Sequence, residues 1–281
     1  MSKIPRPPLA RHQPIEGARP RLLAAAFTAC ALAAGGTRAQ AGGAPDGQPA
    51  AGSQAPPARG SPAVPTGVPV APPGKTKPFP SAESLGLKQT RLDVHEFRVA
   101  ERESGPISYY SIVEDPIEPF IRAVYRPPLE TVVVGIEVPG ELQQGARLLR
   151  WKWRAMALPK GGDECAPGKG DSAAVIYLAW KSFFRWYSLK LVWSTVGVKG
   201  SACEEKRNLL TRQDAIILES GGPTGVWVQE EVDLAAEFRK HFEDGDPNAE
   251  VPDFVGIGVM SDGDQTATVS AADYTGFAIL H

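Results

Sequence analysis

The sequence predicts an all-β sandwich with one short helix, spanning residues 85–281 behind a disordered N-terminal region. Three observations carry this. About twelve short β-rich runs follow Leu85, separated by Gly, Pro, Asp and Asn, as in sandwiches rather than βαβ units. One run, Leu149-Arg150-Trp151-Lys152-Trp153-Arg154, alternates strictly between apolar and basic residues. Finally, large side chains are unevenly distributed: all 6 Trp and all 6 Tyr lie after residue 81, and 16 of the 27 prolines lie before it. A segment without large apolar side chains cannot build a core.

The N-terminal region divides in two. Residues 1–41 have the anatomy of a secretory signal peptide. Lys3, Arg6, Arg11, Arg19 and Arg21 precede an apolar run from Leu22 to Ala34, and Ala39-Gln40-Ala41 supplies the small residues of a cleavage site. The expected localisation is therefore exported, periplasmic or secreted. Lipid attachment at Cys30 is disfavoured by Phe27 and by the apolar run continuing past the cysteine. Residues 42–84, rich in Pro, Ala and Gly, read as a linker, since such composition cannot offset the chain entropy of ordering.

A formal charge of −2 gives no basic excess for binding nucleic acid. No run of 18 apolar residues exists, so no transmembrane segment is expected. After processing, Cys165 and Cys203 remain, both in polar stretches. In an oxidising compartment they are expected to form a disulfide, closing a loop of ~40 residues and contributing roughly 3–4 kcal/mol.

The expected strands are 92–100, 108–114, 119–125, 131–138, 148–156, 173–180, 187–194, 215–219, 225–232, 254–259, 266–270 and 274–280. In the alternating run, Leu149, Trp151 and Trp153 should face the core, and Arg150, Lys152 and Arg154 solvent. Val175 to Trp180 is apolar on both faces, as a central strand covered on both sides would be. Asp233 should cap a helix whose Leu234, Phe238 and Phe242 form an apolar stripe.

Several of these segments form an ordered series. After Leu149 to Arg154 come Gly170-Asp171-Ser172-Ala173-Ala174-Val175-Ile176-Tyr177, Leu189 to Ser194, Leu218-Glu219-Ser220-Gly221 and Trp227 to Asp233. Met260-Ser261-Asp262-Gly263-Asp264-Gln265-Thr266 and Ala272-Asp273-Tyr274 complete it. In this order the chain resembles DUF3047, a bacterial family of unknown function. The resemblance implies a jelly-roll-like sandwich similar to galactose-binding and carbohydrate-binding modules, and no established activity. The chain departs from the family pattern at Val175 and Val232, where charged residues are usual.

Candidate chemistry is sparse. Asp262 and Asp264 flank a glycine, and with Thr266 they could offer oxygens to a Ca²⁺ ion; a β-turn explains the same residues. Phe183-Phe184-Arg185-Trp186-Tyr187 follows Lys181-Ser182 at an expected hairpin tip, where Phe184, Trp186 and Tyr187 would offer a ligand-contact patch, with Glu230 and Asp171 as polar partners. A hydrolase would need paired carboxylates, for which Glu230 with Asp171 or Asp262 is the available choice. No G-x-S-x-G motif occurs. The expectation is a non-catalytic binding module for a glycan or another polar envelope ligand. An envelope assembly protein and a polysaccharide hydrolase are the alternatives, and no cofactor is called for beyond that Ca²⁺.

Overall fold

A computed structural model describes residues 12–15, 79–100 and 108–281. The strands are β1 (His12–Pro14), β2 (Gln89–Arg91), β3 (Arg98–Val99), β4 (Tyr110–Val113), β5 (Phe120–Tyr125), β6 (Val134–Glu137) and β7 (Leu148–Ala157). They continue with β8 (Ser172–Ser182), β9 (Arg185–Ser194), β10 (Ala202–Arg207), β11 (Thr211–Ser220), β12 (Val228–Asp233), β13 (Asp253–Met260) and β14 (Ser270–Leu280). Two helices join them, α1 (Gly140–Gln143) and α2 (Leu234–Phe242).

The strands form two sheets. Sheet A has the order β1-β4-β5-β14-β7-β12, with β2 also on β14; sheet B has the order β10-β11-β9-β8-β13-β6-β3. Pairing is antiparallel except between β9 and β11. The expected all-β, jelly-roll-like sandwich is the architecture found.

Strand parity decides what lies between the sheets. On β7, Leu149, Trp151 and Trp153 point inward and are fully buried. From β8 and β9, Ile176, Leu178, Trp180, Leu189, Leu191 and Trp193 join the same cluster. The indoles pack edge to face, Trp153 lying 5.8 Å from both Trp151 and Trp193. Such pairs add about 0.5–1.5 kcal/mol beyond their area burial. Val175, Tyr177 and Ala179 are buried on the opposite face of β8, so this central strand is covered on both sides.

The outward-facing basic residues of β7 are neutralised rather than solvated. Arg150 pairs with Glu231, Lys152 with Glu118, and Arg154 with the fully buried Asp273, which Arg122 also holds. Arg154 also stacks 4.4 Å from the Trp227 ring. Helix α2 closes one end of the core. The Asp233 side chain accepts the Ala236 N–H at 2.9 Å, and Phe238 and Phe242 pack on Trp180 and Tyr187.

The structure departs from expectation in several places. The run 92–100 is broken by a single 3-10 turn, Val94–Glu96, because the Asp93 side chain accepts the His95 N–H and caps it. Strand β10 went unread because its residues are mostly polar. Residues 263–268 form a turn, and β14 begins only at Ser270. The folded unit includes residues 79–84 of the expected linker: Arg150 donates to the Pro80 carbonyl at 2.6 Å and stacks on Phe79. Strand β1 falls inside the expected leader, pairing with β4 and burying Ile15. The rest of residues 1–41, Cys30 included, and residues 42–78 lie outside the described residues.

Candidate functional site

The outer face of sheet B carries a cavity of about 350 Å³ lined by Glu137, Gln143, Lys181, Phe183, Trp186, Asp253 and Val255. Four neighbouring strands build it. Tyr177, Ala179 and Lys181 of β8 alternate outward while Ile176, Leu178 and Trp180 alternate inward. Register then sets Lys181 between Trp186 of β9 and Asp253 of β13, and Glu137 of β6 opposite Gly256 of β13. The Lys181 ammonium lies 4.9 Å from the centre of the Trp186 ring, a cation–π contact that fixes the indole beside the cavity. The site therefore offers two aromatic rings, Trp186 and Phe183, two carboxylates as acceptors, and an ammonium and an amide as donors.

Phe183 and Phe184 form the two-residue loop between β8 and β9, since Ser182 pairs with Arg185. Both are exposed, and Phe183 borders the cavity. Tyr187 is a correction to the expected contact patch. It is only 6% exposed and packs on the inner face against Phe238 and Phe242. It shares parity with Leu189, Leu191 and Trp193, so the alternation that turns Trp186 outward turns Tyr187 inward.

A second polar cluster joins the end of β13 to the start of β8. Carboxylate oxygens of Asp171, Asp262 and Asp264 all lie within 4.8 Å of one another. Asp262 Oδ1 accepts the Ser172 N–H at 2.8 Å. Asp171 accepts the N–H groups of Gln265 at 3.2 Å and Thr266 at 2.7 Å, and the Thr266 hydroxyl at 2.5 Å. Gly263 is required by close approach: a Cβ there would lie 2.2 Å from the Thr268 carbonyl oxygen.

Burial pushes the Asp262 carboxyl well above the usual carboxylate range; Lys190 opposes this, while Glu164 and Asp171 reinforce it. Asp264 is also raised, by burial and then by Asp171. Burial and the three aspartates push Tyr125 up to about 12. Converging carboxylates of this kind, with Asp262 and Asp264 raised, have two remedies, a shared proton or a cation. Asp171, Asp262 and Asp264 could supply three of the 6–8 oxygens a Ca²⁺ ion takes. Asp171 thus belongs to this cluster rather than to the aromatic patch, and the Thr266 hydroxyl donates to it.

Glu230 stands apart, on edge strand β12 of sheet A opposite Trp151. Burial and the nearby Glu219 push its carboxyl up to about 7. The structure does not bring it together with Asp171 or Asp262, so the carboxylate pair suggested for a hydrolase is not assembled. Lys181, Glu137, Gln143 and Asp253 were missed. Each lies at or beyond the end of a readable run, and only cross-strand register unites them. Cys165 and Cys203 form a disulfide. It tethers the loop that carries Glu164 to β10.

No curated protein matches the sequence. Among solved structures, a thermostable cellulase derived from Rhodothermus marinus is 10% identical, with 69% of this chain and 96% of that one covered at a TM-score of 0.42. An endoglucanase 3 from Trichoderma harzianum is 10% identical, with 69% and 97% covered at 0.35. The xyloglucanase domain of a type three effector from Sinorhizobium fredii, solved with cellobiose, is 11% identical, with 69% and 96% covered at 0.37. The likeness is one of architecture. The family model for DUF3047, a protein of unknown function, matches residues 110–278, and the chain belongs to that family.

Proposed function

We propose that the domain is a non-catalytic binding module that takes a glycan or similarly hydroxylated ligand on the outer face of sheet B. The observation that carries this reading is the cavity itself, where Trp186 stands beside Lys181, Glu137, Asp253 and Gln143. A sugar ring presents an apolar face and a rim of hydroxyls. An indole matches the first, and carboxylates, an amide and an ammonium match the second. The volume falls within the ~300–1,000 Å³ range of ligand pockets.

The test is glycan-array and calorimetric binding of the full chain, with Trp186→Ala and Asp253→Asn. Loss of about tenfold or more in affinity in both variants supports the reading. An unchanged array profile in both removes the cavity from consideration. Because Glu137 and Asp253 line one cavity, hydrolysis is the second reading. Release of reducing ends from envelope polysaccharide, abolished by Glu137→Gln, would favour it over simple binding.

We further propose that the protein works outside the cytoplasm. The leader-like N-terminus supports this, and a Cys165–Cys203 disulfide suits an oxidising compartment.

A further inference from the structure

Two adjacent hairpin tips at one end of sheet B consist entirely of large apolar residues. Phe183 and Phe184 fill the β8–β9 loop and are 91% and 56% exposed. Leu209 and Leu210 fill the β10–β11 loop and are 76% and 54% exposed. The second loop is closed by the Asn208 N–H donating to the Thr211 carbonyl at 2.9 Å. The tips lie side by side: Trp186 N–H donates to the Leu210 carbonyl at 2.8 Å, and β9 and β11 run parallel from there.

These are unusual residues for such turns. Two-residue hairpin loops favour Gly, Asn and Asp, which accept positive φ and water. Phe183 holds φ +51°, where bulky side chains are rare. Its ring meets only the edge of Phe184, 5.7 Å away, and stays largely in solvent, so the domain gains little packing in return. Exposed apolar side chains grouped in this way mark a contact surface.

We propose that the Phe183-Phe184 and Leu209-Leu210 tips insert into the surface of an anionic lipid bilayer. The cation that fits that occupant is Arg185, to be weighed against Glu137 and Asp253 in the cavity that Phe183 borders. Arg207 and Arg212 flank the leucine loop and are engaged by Asp214 and Glu243. Arg185 follows the phenylalanine loop directly, and among the described residues no carboxylate pairs with it, which leaves it for a headgroup phosphate. Trp186 comes next, where an indole would lie at headgroup depth. The Leu210 amide also enters satisfied, since Asn208 Oδ1 accepts its N–H together with that of Thr211. Unpaired amides would oppose entry into hydrocarbon.

This inference shares Phe183 and Trp186 with the glycan cavity but does not require a glycan. Phe183 borders the cavity, so the test also uses the leucine loop, which does not. The full chain is sedimented with vesicles of phosphatidylcholine alone and of phosphatidylcholine mixed with phosphatidylglycerol. Sedimentation with the mixed vesicles is expected. Phe183→Gly should lower partitioning about tenfold while raising thermal stability, because glycine suits the positive φ. Leu209→Asn combined with Leu210→Gly should lower it similarly and leave ligand binding in the cavity intact. Arg185→Gln should reduce it about fivefold on the mixed vesicles. Failure of the wild type to sediment with either vesicle would overturn the proposal, as would loop variants that sediment like wild type. A dimer abolished by these variants, without vesicle binding, would assign the tips to a protein interface and equally overturn it.

Discussion

The ammonium of Lys190 lies 2.6 Å from Oε1 of Glu164, and both side chains are buried. Ser172 Oγ donates to the other carboxylate oxygen at 2.7 Å. The pair pins the loop that carries Cys165 onto the outer face of sheet B. Removing one member leaves a buried charge without its partner. Lys190→Met and Glu164→Gln should each cost about 3–5 kcal/mol in urea unfolding, and the double variant less than the sum. Single variants within about 0.5 kcal/mol of wild type would show that the pair contributes nothing.

Glu230 predicts a pH effect of defined sign. Its folded-state value of about 7 lies above the ordinary 4.5, so the folded protein holds a proton that the unfolded chain has released. Stability attributable to this residue therefore falls as pH rises through that interval. Glu230→Gln should be nearly neutral at about pH 4 and stabilising by roughly 1–3 kcal/mol at about pH 8. Equal effects at the two pH values would contradict this.

The aspartate cluster predicts a response to cations. Millimolar Ca²⁺ should raise the thermal midpoint of the wild type and leave Asp264→Asn unmoved. Without Ca²⁺, Asp264→Asn should be the more stable by about 1 kcal/mol, since it relieves repulsion from Asp171. Indifference of the wild type to Ca²⁺, with no gain from the substitution, would reduce the cluster to a turn.

The disulfide joins cysteines 38 residues apart. Replacing both with serine should cost roughly 3–4 kcal/mol if loop entropy dominates. A loss below about 1 kcal/mol would mean that the loop remains ordered in the unfolded chain by other means.

The N-terminus offers a direct test of export. Processing after Ala41 would remove β1 and leave the β4 edge without the partner that His12–Pro14 supplies. Mass spectrometry of protein recovered from a bacterial envelope should show a mature chain beginning near Ala41. An intact chain retaining His12 would contradict export through this leader.

Much of the architecture could be read from the sequence because one-dimensional patterns report burial. Leu149 to Arg154 alternates since β7 has one face in the core. Val175 to Trp180 does not, since β8 is covered on both faces. The site was less legible. Trp186 and Phe184 could be placed at a tip, but Glu137 and Asp253 reach them only through pairing of strands more than 100 residues apart in sequence for the first. Acidic residues give no sign of register. Asp171, Asp262 and Asp264 illustrate the same limit: the short-range pair was visible, while the third member arrives from the residue before β8, on a distant part of the chain.

Strand β14 has a consequence for biogenesis. It lies between β5 and β7, at the middle of sheet A. Neither neighbour can complete its ladder until residues 270–280 have left the ribosome. Sheet A thus stays incomplete until late in synthesis, with Trp151 and Trp153 of β7 in need of protection from premature collapse.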